Sequence, residues 1–100
     1  MQQTKEAIYQ SIGQTIVDSI QEAWNTAEIK FEVIEEDAFV MECEYATGPE
    51  NTRKFFKGGF AIKDLMLELR ELMAKENSSA WRKAVYKMTA SGQFDINFEY

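Results

Sequence analysis

Apolar residues near the start of the chain recur every four positions. The repeated positions are Ile8, Ile12, Ile16, Ile20 and Trp24. This spacing predicts an amphipathic helix over residues ~4–24, with Thr4 as its N-cap and Asn25 as its end. We expect the stripe to pack in the core, with a partner-binding face as the alternative.

A second stripe of helical period predicts a helix over residues ~61–76, which Asn77-Ser78-Ser79 ends. Its members are Ile62, Leu65, Met66, Leu69, Leu72 and Met73.

Between these two helices, apolar and polar residues alternate in two runs, as they do in half-buried strands. The runs cover residues ~27–34 and ~38–46. A three-residue loop, Glu35-Glu36-Asp37, keeps the apolar side chains of both runs on one face. The predicted register places Phe31 opposite Met41, Lys30 opposite Glu42 and Glu28 opposite Glu44.

Beyond this hairpin, the loop over residues 47–52 contains Gly48-Pro49. The segment Arg53–Phe56 predicts a short third strand, whose bases are expected to neutralise part of the neighbouring acid. Gly58-Gly59 then predicts a turn, because no lysine with a serine or threonine follows at the spacing of a phosphate-binding loop.

The last part of the sequence predicts a second hairpin, with strands over residues ~81–89 and ~94–100. Ala90-Ser91-Gly92 forms its loop, with Gly92 at positive φ. The register is given by four opposed pairs: Tyr86 with Ile96, Met88 with Phe94, Lys87 with Asp95, and Lys83 with Glu99.

These elements predict an α+β fold in the order α-β-β-β-α-β-β. Each strand has one apolar face and each helix one apolar stripe, so both helices are expected to pack on one face of an antiparallel sheet. One hundred residues suit a single domain, 1–100. The residues expected to be buried include Ile12, Ile16, Phe31, Met41, Leu69, Tyr86 and Ile96.

The negative charge is concentrated in one segment. Residues 28–50 contain eight acids and one base, a net charge of −7, while the nine acids and ten bases elsewhere leave +1. A localised acidic field repels nucleic acid and attracts a basic protein, although a solvated face that keeps the chain soluble is the simpler explanation. The candidate partner-binding residues are Glu28, Glu32, Glu35, Glu36, Asp37, Glu42 and Glu44.

Residues for catalysis or metal binding are not evident. The chain has no histidine, which excludes His-based acid–base catalysis and His metal ligation. Cys43, on the apolar face of a strand, suits a buried and inert thiol. Glu42 and Glu44 share a face, but such spacing is common on exposed strands, and Glu35-Glu36-Asp37 lacks the spacing of a calcium loop. We therefore predict no enzyme, no cofactor and no metal site.

The cellular context predicted from the sequence is the cytoplasm. The start of the chain is polar, no apolar stretch approaches the ~18 residues of a membrane helix, and one cysteine cannot form an intramolecular disulfide. The short run Arg53–Lys57 mixes bases with aromatics, as single-strand binders do, but five residues in an acidic protein are explained better by a strand beside an acidic hairpin. We predict neither membrane nor direct nucleic-acid binding.

Three stretches resemble the YezG-like family of small bacterial immunity proteins. They are Ala23-Trp24 followed by Ala27-Glu28-Ile29, the helical segment Leu65–Met73, and the ending from Trp81 through Ser91-Gly92 to Phe94–Tyr100. The likeness covers nearly the whole chain. Members of this family are thought to neutralise toxins, commonly nucleases, of LXG-type or related polymorphic toxin systems. The resemblance therefore implies an immunity protein with a basic toxin domain as its partner, and it supplies no catalytic residues.

The alternative to a toxin-binding protein is a non-catalytic interaction module of another kind, a homodimer or a regulatory subunit. In that case the acidity serves solubility. The sequence leaves the oligomeric state open.

Overall fold

The computed structural model describes residues 4–35, 38–57, 59–77 and 79–100. The elements in chain order are α1 (Lys5–Ser19), β1 (Thr26–Glu35), β2 (Ala38–Thr47), β3 (Thr52–Phe55), α2 (Gly59–Asn77), β4 (Lys83–Thr89) and β5 (Phe94–Glu99). The predicted α+β class and the predicted order of elements are confirmed. Gly58, in the predicted turn, and Ser78, at the predicted end of α2, lie outside the described residues.

The five strands form one antiparallel sheet in the order β3-β2-β1-β4-β5. The central strand β1 pairs with β2, which follows it directly, and with β4 from far along the chain. Its inward residues Ile29 and Phe31 are fully buried in one core with residues of both helices, among them Ile12 and Leu69. Both helices therefore cover one face of the sheet, as predicted.

The register of both hairpins is confirmed. Phe31 lies opposite Met41, Lys30 opposite Glu42, and Glu28 opposite Glu44. Strand β1 runs one residue further than predicted, to Glu35, with an irregular step between Val33 and Glu35, while β2 begins at Ala38 as predicted. Part of the predicted loop is thus strand, and its remaining residues, Glu36 and Asp37, lie outside the described residues.

The closing hairpin also follows its predicted register. Lys87 lies opposite Asp95 and Lys83 opposite Glu99, while Tyr86 faces Ile96. Gly92 has a φ of 98°, which a residue without Cβ adopts freely.

The predicted end of the first helix is wrong. Thr4 caps its start, since its Oγ1 accepts a hydrogen bond from the Ala7 N–H over 3.1 Å, but α1 ends at Ser19 and not at Asn25. Ile20 is already extended, and the segment after it is held by the sheet: the Ala23 carbonyl accepts a bond from the Thr47 hydroxyl. The Asn25 N–H, which a longer helix would pair with the Gln21 carbonyl, donates instead to the Ala46 carbonyl over 2.7 Å, so pairing with β2 replaces the last helical turn.

The start of α1 lies beside the end of α2, since Lys5 forms an ion pair of 2.8 Å with Glu76. The Arg70 side chain links α2 to the segment just before β4, because it donates a hydrogen bond to the Trp81 carbonyl over 2.7 Å. Trp81 itself is fully buried, with its ring 5.9 Å from that of Phe31.

Two residues predicted to be buried are only partly so. Met41 and Ile96 pack against the core at its margin. Met41 lies on the part of β2 that β3 does not pair with, and Ile96 lies on the edge strand β5. Among the described residues, neither position has a neighbouring strand on its second side, which explains their residual exposure. Both still face the helices, because each pairs directly with a buried inward residue, Phe31 or Tyr86.

Candidate partner-binding surface

The face of the sheet turned away from the helices, here called the outer face, carries most of the predicted acidic residues. Direct strand pairing places them in rows across the sheet. The middle row contains, from β3 to β5, Phe55, Glu44, Glu28, Lys87 and Asp95. The next row contains Glu42, Lys30, Val85 and Asn97, and the row after it Val40, Glu32, Lys83 and Glu99.

Glu28 and Glu44 are adjacent across β1 and β2, as predicted, but their charge is compensated. Arg53 on β3 reaches both: its Nε lies 3.1 Å from Glu44 and its Nη2 lies 3.7 Å from Glu28. Lys30 adds a second contact to Glu28, also of 3.7 Å. Each of the two glutamate side chains is only 19% exposed. These two predicted residues are therefore the least available to a partner.

Glu32, Glu35 and Glu42 lie further along the hairpin and are exposed. Lys30, although directly opposite Glu42, makes its ion pair with Glu28 instead. Within the described part of the chain, none of these three carboxylates forms an ion pair within 4.0 Å. We call Glu32, Glu35 and Glu42 the distal acids. The predicted Glu36 and Asp37 lie outside the described residues.

Bases from later in the chain make the rest of the outer face mixed in charge. Lys83 and Lys87 of β4 lie directly beside Glu32 and Glu28. A shallow depression of about 610 Å³ near the start of β1 is lined by residues of both signs, including Glu44, Arg53 and Lys87. The sequence segment with a charge of −7 therefore does not become a uniformly acidic face.

A further cluster, which the sequence analysis missed, joins the segment after α1 to β2 and β3. The Tyr45 hydroxyl donates to Glu22 over 2.5 Å, and Lys54 Nζ lies 3.0 Å from the same carboxylate oxygen. The hydrogen bonds from Tyr45 and Lys54 lower the pKa of Glu22, and the bond to Glu22 raises the pKa of Tyr45 and of Lys54. The sequence pattern predicts Glu22 within the first helix and gives no indication that it lies beside Tyr45 and Lys54.

The distal end of the hairpin is also apolar. Ile34 is 51% exposed, Val40 50% and Phe39 38%. The alternation along the second strand predicts Phe39 on the same face as Met41, toward the core, and gives no indication of this exposure. Phe39 stacks on Phe31 at a ring separation of 5.0 Å, yet the hairpin extends beyond the full cover of the helices at this point. Exposed apolar side chains surrounded by carboxylates are typical of protein-binding surfaces.

A family model described as "Immunity protein YezG-like" matches residues 49–100, just over half of the sequence. The chain belongs to the YezG-like immunity protein family. The search of curated proteins gives no match. The family resemblance predicted from the sequence is thus confirmed.

The matched residues of this YezG-like chain comprise β3, α2, β4 and β5. The distal acids and the apolar residues beside them belong to β1 and β2, outside the matched segment. The first stretch of the predicted resemblance, from Ala23 to Ile29, also lies outside it. Family membership therefore implies a toxin as the partner and leaves the binding surface to be argued from the structure.

The described residues of this YezG-like protein contain no group of three or more Cys, Asp or Glu side chains placed to hold a metal ion. Neither helix, over its described residues, combines the length and the apolar character needed to cross a membrane. Cys43 is buried, as predicted.

Proposed function

We propose that this chain is an immunity protein that binds a nuclease toxin domain of an LXG-type or related polymorphic system and neutralises it in the cytoplasm. The distal acids supply the binding charge. The observation that carries the proposal is the contrast along one hairpin: Glu28 and Glu44 are compensated by Arg53, whereas the distal acids have no cation within ion-pair distance among the described residues. Family membership supplies the toxin partner.

The physical argument concerns the basic cleft with which nucleases grip the phosphate backbone. A carboxylate that already has a cation partner gains little from a second one, while an exposed and unpaired carboxylate retains its full attraction. The distal acids lie together at one end of the molecule, so a basic cleft can meet all of them at once. Glu28 and Glu44 are expected to add little, and Glu36 and Asp37 extend the same charge in the sequence.

The first step is to establish whether a gene adjacent to that of this chain encodes a long toxin-like protein. The C-terminal domain of such a protein, here called the toxin domain, is then produced. Co-expression with the wild-type chain should restore growth of cells that produce the toxin domain. Association is then measured for the triple variant Glu32→Gln, Glu35→Gln and Glu42→Gln. We expect an association rate lower by about tenfold at low salt, because charge steering contributes at least this factor in strongly charged pairs.

A matched control carries the same loss of three charges on the helices, with Glu6→Gln, Asp64→Asn and Glu71→Gln. These acids are exposed and lie on the opposite side of the sheet from the outer face. The control should associate at nearly the wild-type rate. Equal rates for both triple variants would refute binding through the distal acids.

A further inference from the structure

Strand β2 extends well past its neighbour β3. The short strand β3 pairs only with residues Glu44–Thr47 of β2. One more bond follows, from the Phe56 N–H to the Cys43 carbonyl, over 3.1 Å. From Ala38 to Glu42, β2 has β1 on one side and, among the described residues, no strand on the other.

The orientation of the backbone in this stretch follows from the alternation within an antiparallel ladder. The carbonyl of Cys43 points to the β3 side, and successive residues direct their N–H and C=O groups to opposite sides. The backbone groups of Met41 and Phe39 therefore point toward the open edge, while those of Val40 and Glu42 point toward β1. Over the described chain, no backbone bond joins Phe39 or Met41 to a segment outside the sheet.

Unpaired strand edges are templates for pairing with another chain, and proteins normally shorten or cover them. This edge is instead flanked by the exposed side chains of Phe39 and Val40 on its two faces. A strand added here would cover both flanks and complete the backbone bonds of Phe39 and Met41.

The charge around this edge determines which chain fits it. Glu42 projects from the edge strand itself, Glu32 lies in the adjacent row, and Glu35 ends β1. A second copy of this chain carries a net charge of −6 and would bring the same acids together. A strand with lysine or arginine side chains on one face meets instead carboxylates that form no ion pair with any described cation.

We propose that the toxin domain binds by adding a basic extended segment to the open edge of β2, beside β3, so that the sheet continues into the partner. The inference rests on the proposed function and deepens it. The backbone bonds to Phe39 and Met41 hold the added strand, and its cations lie over Glu42 and Glu32. Apolar side chains on its other face contact Phe39, which is how strand addition combines affinity with specificity.

The test blocks a single backbone donor. A chain of one hundred residues can be assembled by chemical ligation, so an N-methyl group can be placed on the Met41 amide without changing any side chain. That amide points to the open edge, and its methylation leaves the β1–β2 bonds in place. Affinity for the toxin domain should fall by at least about tenfold, because one bond is lost and the methyl group obstructs the partner strand.

The matched control is N-methylation of Ile96 on the other edge strand. The Thr89 N–H donates to the Gln93 carbonyl over 2.8 Å, so by the same alternation the Ile96 amide points away from β4 to the free edge of β5. This variant should bind with wild-type affinity. Circular dichroism and thermal unfolding of both variants establish that each is folded before affinities are compared.

Amide hydrogen exchange in the complex provides a second readout. Exchange at Phe39 and Met41 should slow on binding, whereas Val40 and Glu42, already bonded to β1, should change little. Unchanged exchange at Phe39 and Met41 with undiminished affinity of N-methyl-Met41 would overturn strand addition and leave the proposed function standing. If the amides of Ile96 and Phe98 are protected instead, strand addition at β2 is overturned in favour of addition at β5. If Phe39 and Met41 become protected in the chain alone at high concentration, it is overturned in favour of pairing between two copies of this chain. Absence of wild-type binding would overturn both proposals.

Discussion

The Tyr86 hydroxyl on β4 donates a hydrogen bond to the Tyr9 carbonyl in α1 over 3.0 Å. Gly13 lies one helical turn beyond that carbonyl, and a Cβ there would stand 3.2 Å from the Tyr86 oxygen. The glycine thus gives the hydroxyl room to reach the helix backbone. A glycine inside a helix costs about 0.5–1 kcal/mol relative to alanine, which this contact offsets.

We expect Gly13→Ala to give no stabilisation in the wild-type background, because the new methyl group must displace the Tyr86 hydroxyl from its hydrogen bond. In a Tyr86→Phe background the oxygen is absent, and the same substitution should stabilise by about 0.5–1 kcal/mol. Urea unfolding of the four proteins measures this double-mutant cycle. Equal effects of Gly13→Ala in both backgrounds would contradict the steric explanation.

Tyr86 should make the protein sensitive to alkali. Burial raises its pKa to about 12, whereas an unfolded tyrosine has a pKa near 10. The folded state therefore holds the phenolic proton more tightly. The contribution to stability is complete below pH ~10 and is lost as the pH rises toward ~12, since the unfolded state then binds fewer protons.

Urea unfolding below and above pH ~10, for wild type and Tyr86→Phe, measures the effect. The wild type should lose more stability over this range than the variant. Tyr9 and Tyr45, whose pKa values are also raised, leave the variant with some alkaline loss. A variant that loses as much as the wild type would remove Tyr86 from the explanation.

Arg53 should matter for stability more than an isolated surface base. Its replacement by glutamine leaves Glu28 and Glu44, which are directly opposed, without their shared cation. We expect a loss of about 0.5–1 kcal/mol at low salt, shrinking as salt screens the repulsion. Adding Glu28→Gln should restore most of it. A loss that is independent of salt and of Glu28 would show that Arg53 acts through packing.

Asn25, which the sequence predicted as a helix end, instead ties two strand connections together. Its N–H donates to the Ala46 carbonyl over 2.7 Å and its carbonyl accepts from the Ala90 N–H over 2.9 Å. Its side-chain amide donates to the Gly48 carbonyl over 2.8 Å and to Asn51 over 2.9 Å. Asn25→Ala should cost about 1 kcal/mol.

Asn25→Asp should cost more at neutral pH, because a carboxylate would face two acceptor oxygens. Its deficit should shrink in acid, where the protonated carboxyl can donate. Thermal unfolding at neutral and acidic pH compares the two variants of Asn25. An aspartate as well tolerated as alanine at neutral pH would argue against these side-chain bonds.

The salt dependence of toxin binding offers a further check on the distal acids. Raising salt from low to moderate should slow association of the wild type more than that of the triple glutamine variant, because screening acts on exposed charges. Reversing two of the acidic charges, Glu35→Lys with Glu36→Lys, should reduce the salt dependence in the same sense. Stopped-flow association at two salt concentrations is the measurement, and parallel salt curves would count against charge steering.

The local rules of the sequence predicted the sheet register well. Alternation, loop length and Gly92 together were sufficient to place Lys87 against Asp95 and Lys30 against Glu42. These rules were wrong at residues 20–25. The four-residue period continues through Trp24, but hydrogen bonds to β2 and to the turn after it hold this segment in a non-helical conformation. Periodicity reports a buried stripe and does not report such long-range competition.

The candidate surface was predictable only in part. The position of Glu28 and Glu44 followed from the hairpin register, but their compensation by Arg53 requires the pairing of β3 with β2. The exposure of Phe39 and Val40 depends on how far β3 and the helices cover β2. The alternation within one strand predicts neither the pairing of β3 with β2 nor the extent to which β3 and the helices cover β2.

The position of β1 in the centre of the sheet also sets the order in which the molecule can assemble. Its pairing with β2 closes a short hairpin, but its other side waits for β4, which follows only after β2, β3 and α2. Closing so long a loop is slow compared with forming a hairpin. During synthesis, β1 therefore has one side without its native partner strand until β4 emerges, and this side is open to pairing with the wrong strand for that time.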